Sequence, residues 1–109
     1  MLIFPLKKYW YDKIKSGEKT VEYREVKPYW EKRLFGNCCD VVPYDYQEFK
    51  DFLPPIYCFF QLGYKPETRI KSHIIKVEIV DGKNTDLKID KPVYAIHFHL
   101  DQNENENRG

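Results

Sequence analysis

The sequence predicts an α+β domain with a mixed, strongly curved sheet or small β-barrel and flanking short helices. Three observations carry this. The 109-residue chain is the size of one domain. Eighteen aromatic residues (nine Tyr, seven Phe, two Trp) supply core area without staples. Segments of helical and two-residue periodicity follow in the order strand, helix, strand, helix, and then several strands with no long helix between them.

Met1 to Leu6 is a short apolar stretch punctuated by Pro5, readable as a first strand. Leu6, Trp10 and Ile14 recur every four positions and predict a helix over 7–16, stopped by Gly17. Residues 18–26 alternate, with Val21 and Tyr23 on one side and Thr20, Glu22 and Arg24 on the other, which predicts a second strand. The Val21 and Tyr23 side is the one expected to pack. Pro28 suits a first helical position, so 28–34 reads as a short helix closed by Gly36. Residues 37–55 lack a period and read as an excursion with a helical turn around 47–53. Residues 56–62 form a buried strand, broken by Gly63-Tyr64-Lys65-Pro66. In residues 69–80, Ile75, Val77 and Ile79 are in phase while Ile70 and Ile74 are not, as a bulge would produce. After a turn at 81–84, residues 93–100 place Tyr94, Ile96, Phe98 and Leu100 on one face and Ala95, His97 and His99 on the other. The domain therefore spans 1–100, and 101–109 is a polar tail.

Eighteen basic against seventeen acidic residues leave no strong field to draw in nucleic acid or an acidic membrane. The first 36 residues hold nine basic and five acidic groups, so a local basic patch is compatible with the overall balance. Cys38, Cys39 and Cys58 are odd in number and two are adjacent, which is poor material for secreted disulfides and points to a reducing, cytoplasmic setting. No apolar run is long enough to span a membrane, so no membrane partner is expected. His97 and His99 share a strand face, but a third metal ligand such as His73 or Cys58 would have to converge from elsewhere, and no metal or cofactor is expected.

The segment Ser16-Gly17-Glu18-Lys19-Thr20-Val21-Glu22-Tyr23-Arg24 carries the most information. Glu22 and Arg24 lie two apart on one strand face, and a bulge after Gly17 would bring the Lys19 ammonium toward them. Either these groups line a pocket, or they form a solvated charge ladder. Together with Lys8-Tyr9-Trp10, Lys27-Pro28-Tyr29-Trp30 and Gly63-Tyr64, this segment resembles the activating signal cointegrator homology (ASCH) domain, related to the pseudouridine synthase and archaeosine transglycosylase (PUA) fold. The resemblance spans roughly residues 1–100. It implies a PUA-like barrel with a cleft lined by Lys19, Glu22 and Arg24, in a family acting on RNA or nucleosides.

Three functions follow as expectations. As a binding module, Lys19 or Arg24 would hold a phosphate, Glu22 would accept from a base edge, and Tyr23, Trp30 or Tyr64 would stack on the ring of an RNA or nucleotide-like ligand, with Thr20 a further ligand-binding residue on the same strand face. As a hydrolase of ribonuclease or amidohydrolase type, Glu22 would be the base and Lys19 or Arg24 the cation that stabilises phosphate charge. The family's N4-acetylcytidine amidohydrolases have a Thr nucleophile at the position of Glu22, so this chain departs from them there. As an adaptor, exposed aromatics between residues 43 and 60 would meet a protein partner.

Overall fold

The structure is a computed structural model that describes residues 2–35 and 56–101. The expected excursion, with its helical turn and Cys38-Cys39, lies outside the described residues, as do 102–109. Among the described residues, five strands and two helices follow the predicted order: β1 (Ile3–Leu6), α1 (Lys8–Lys15), β2 (Val21–Glu25), α2 (Pro28–Phe35), β3 (Ile56–Leu62), β4 (Ile70–Asp81) and β5 (Pro92–Leu100). Single 3₁₀ turns at Pro66–Thr68 and Gly82–Asn84 flank β4. Among the described residues no helix is long and apolar enough to cross a membrane.

The strands form one mixed sheet in the order β1-β3-β4-β5-β2. β1 runs parallel to β3, and the other pairs are antiparallel. One face carries the core: Phe4 and Leu6 from β1, Cys58 and Phe60 from β3, Ile74 and Val77 from β4, and Tyr94, Ile96 and Phe98 from β5. Tyr11 and Ile14 of α1 and Leu34 of α2 close over it. Phe4 and Phe60 are fully buried and stack at 5.5 Å, and Phe60 meets Phe98 at 4.4 Å. Burying each such ring contributes about 1.5–3 kcal/mol. The predicted bulge sits between Ile74 and Lys76 of β4, where the register with β5 slips by one. Ile75 absorbs the slip, so Ile70 and Ile74 before it and Val77 and Ile79 after it all reach the core.

β2 departs from expectation. The apolar Val21 and Tyr23 were expected to pack inward, yet they are half-buried on the opposite face, and Glu22 takes the core side. The cause is the ladder. Glu22 lies opposite Ile96 and Arg24 opposite Tyr94, and directly paired residues share a face. Because β5 turns Ile96 and Tyr94 inward, Glu22 and Arg24 must go with them.

The sheet is α+β and mixed as expected, but it is not closed into a barrel: β1 and β2 are its two edges. A side chain spans them instead. Arg24 of β2 donates from Nη2 to the Pro5 carbonyl of β1 at 3.2 Å, and its guanidinium lies 5.1 Å from the Phe4 ring centroid. Glu22 holds the same guanidinium, accepting from Nε at 2.9 Å and lying 2.7 Å from Nη2. Trp30 of α2 stacks on Phe4 at 5.2 Å and covers Arg24 at 4.9 Å.

With side chains 8% and 18% exposed, Glu22 and Arg24 form a largely desolvated pair. Breaking it by removing one partner strands the other charge, which costs about 3–5 kcal/mol. Glu22→Gln should lower the urea midpoint accordingly at unchanged m-value, whereas Glu18→Gln, an exposed partner of Lys13, should change stability by less than about 1 kcal/mol. Equal effects of the two substitutions would contradict the structural role of Glu22.

Cys58 is fully buried, and burial, reinforced by the negative charges of Asp101 and Glu22, pushes its thiol pKa up to about 12. In a Cys38→Ser/Cys39→Ser chain, Cys58 should therefore resist a thiol reagent at pH 8 until denaturant is added. Prompt labelling of the folded chain would contradict this burial.

Candidate functional site

Lys19 is placed by the way α1 ends. Gly17 adopts φ +88°, a left-handed conformation that suits glycine, and its N–H donates to the Ile14 carbonyl at 3.0 Å. The Lys19 N–H then turns back to the Lys13 carbonyl at 3.0 Å, which fixes the residue at the mouth of β2. Its ammonium lies 3.4 Å from Glu22 Oε1 and is ion-paired with Asp86. Trp10 and Tyr23 flank it, with ring centroids at 5.1 and 5.0 Å. The Lys19 side chain is only 9% exposed.

Asp86 comes from the loop between β4 and β5. The 3₁₀ turn there begins at Gly82, whose N–H donates to the Lys91 carbonyl at 2.8 Å. A Cβ at this position would lie 2.6 Å from that carbonyl oxygen, so only glycine permits the approach. Thr85 donates its hydroxyl to the Gly82 carbonyl at 2.8 Å and accepts from the Leu87 N–H at 3.2 Å, which locks the turn that carries Asp86.

A depression of about 440 Å³ opens over Lys19. Tyr9, Trp10 and Tyr23 supply its aromatic walls, Thr20 and Val21 its strand side, and Lys13, Lys19, Glu18 and Asp86 its charges. Two lysines thus meet two carboxylates. Lys13 is itself paired with Glu18 at 2.8 Å, which raises its pKa. The lining therefore offers donors, acceptors and ring faces in a nearly neutral setting.

The three charged residues picked out from the sequence do converge, but on one another. Glu22 is bonded to Arg24 on one side and faces Lys19 on the other, and neither Glu22 nor Arg24 lines the depression. They stand behind Lys19 as its support. Thr20 lies on the exposed side of the hollow. Trp30 is elsewhere, against Phe4 and Arg24. Tyr64, 88% exposed, borders a different hollow with Pro5, Leu6, Lys7, Lys8, Leu62 and Lys65. The walls Tyr9 and Trp10 were visible only in the motif and, for Trp10, in the apolar stripe of α1, and Asp86 gave no local signal, since it meets Lys19 from 67 residues along the chain.

Behind Tyr23 a second hollow of about 250 Å³ holds Glu78 and His97, whose Nε2 lies 2.8 Å from Glu78 Oε2. The hydrogen bond from His97, aided by the Lys76 charge, holds the Glu78 carboxyl below its ordinary value of 4.5. Comparison with protein-family models, curated proteins and solved structures finds no match to this chain.

A carboxylate whose pKa is lowered by folding stabilises the native state above its unfolded pKa, and that contribution is lost as pH falls through the folded value. For Glu78 the loss begins below about pH 4.5. An NMR titration should place the Glu78 midpoint below 4.5, and His97→Ala should return it toward that value; a midpoint unmoved by the substitution would remove the His97 bond as its cause.

Proposed function

We propose that this chain is an RNA- or nucleotide-recognising domain of the ASCH, PUA-like type, and that it takes one unstacked nucleobase or nucleoside into the depression over Lys19. The observation that carries the reading is the Lys19 ammonium, fixed between two aromatic rings and two carboxylates on the wall of an aromatic-sided hollow. A planar base with mixed donors and acceptors is complementary to such a lining: rings stack on it, ammonium donates, and Asp86 or Glu18 accepts. The balance of two lysines and two carboxylates favours a neutral heterocycle over a phosphate as the group that enters. The motif resemblance over residues 16–24 supports the same ligand class.

The binding role ranks above hydrolysis because Glu22 is engaged on both oxygens, by Arg24 and by Lys19, and is screened from the hollow. A general base needs reach to its proton, and here that reach belongs to Asp86 and Glu18 rather than to Glu22. Glu22 and Arg24 act as positioning residues for Lys19.

Titration with the four ribonucleosides and a short single-stranded oligoribonucleotide, followed by NMR, tests this. Saturable shifts are expected at the Trp10 indole and at Thr20. Tyr9→Ala should weaken binding about 5- to 150-fold, the range of one lost stacking contact. Tyr9 is 61% exposed, so its removal should leave the fold intact. Absence of any saturable shift would defeat the proposal, and product formation that survives with unaltered rate in Glu22→Gln would identify a hydrolase using another base.

A further inference from the structure

The face of the sheet opposite the core carries a second cluster, separate from the Lys19 depression. β4 and β5 place His73 directly across from His99, and Tyr57 of β3 lies on the far side of His73. The two imidazole centroids are 5.8 Å apart. His73 Nδ1 is 2.8 Å from Asp101 Oδ1, while the Asp101 N–H donates to the Lys71 carbonyl at 2.9 Å, so the carboxylate is anchored where it can orient the ring. The His73 side chain is 38% exposed, and His99 is exposed.

We propose that His73 and His99 form an open, two-histidine site for an imidazole-preferring divalent transition ion such as Ni²⁺, Cu²⁺ or Zn²⁺, with Asp101 as the group that orients the first ligand. With Asp101 accepting a hydrogen bond from His73 Nδ1–H, the Nε2 lone pair is left to bind a metal. This carboxylate–imidazole order is the usual support of a ligating histidine. Metal–nitrogen bonds of about 2 Å put the centroids of two imidazoles on one tetrahedral ion roughly 5 Å apart, so the observed 5.8 Å needs only a small side-chain rotation of the two rings toward each other to close on an ion. Among the described residues no group of three or more His, Cys, Asp or Glu is arranged to hold a metal, so water or an external ligand completes the coordination. Imidazole donors with no inner carboxylate select nickel, copper or zinc over magnesium and calcium. His97, on the same strand face, is engaged by Glu78 and takes no part.

Calorimetric titration of the tag-free full chain with NiCl₂ in a non-chelating buffer tests the site. One equivalent should bind. His73→Ala and His99→Ala should each weaken it at least tenfold, Asp101→Asn should weaken it about tenfold, and His97→Ala should leave it unchanged. All four side chains are at least partly exposed, and circular dichroism would verify that each variant folds. No uptake, uptake insensitive to either of the paired histidines, or loss of uptake in His97→Ala would each overturn the proposal.

Discussion

Everything near Lys19 depends on a carboxylate that the sheet forces inward. β2 is an edge strand with one partner, and the register with β5 leaves Glu22 facing the core opposite Ile96. An unpaired carboxylate there would be expensive to desolvate. The chain surrounds it with two cations, Arg24 two residues ahead and Lys19 three residues behind. Arg24 in turn reaches the opposite edge strand, so the curl of the sheet and the neutralisation of Glu22 are one arrangement.

That arrangement sets the character of the hollow above it. Lys19 is held from below by Glu22 and from the side by Asp86, and the rings of Trp10 and Tyr23 flank its ammonium. Its side chain gives up rotamer freedom during folding instead of on contact with a ligand, a saving that pre-organised sites exploit. The same neutralisation removes any net attraction for phosphate, which distinguishes this hollow from one beside Tyr64, whose charged lining among the described residues is Lys7, Lys8 and Lys65.

The order and type of the elements were legible because each has a local cause: Gly17 ends α1, Pro28 starts α2, and the parity change in β4 announces its bulge. The inward face of β2 was not. Alternation defines two faces without saying which is buried, and here the apolar pair Val21 and Tyr23 pointed to the wrong one, because the strand opposite decides. Of the candidate site, the Glu22 and Arg24 pair could be read from spacing, and Lys19 from the turn that Gly17 makes before the strand, but not that the three neutralise one another instead of lining the hollow together. Asp86 could not, since its position depends on the turn begun by Gly82, and neither could the His73–His99 pairing, whose register follows from where Ile75 bulges out.

Pro5 has a further effect on how the molecule meets its own kind. An edge strand ordinarily presents free amides and carbonyls on which another chain could grow a ladder. At this point of β1 there is no amide hydrogen to offer, and the oxygen is already claimed by the guanidinium of Arg24. The outer margin of β1 is blunted at its middle, so stacking of copies edge to edge is interrupted there by the same contact that holds the two ends of the sheet together.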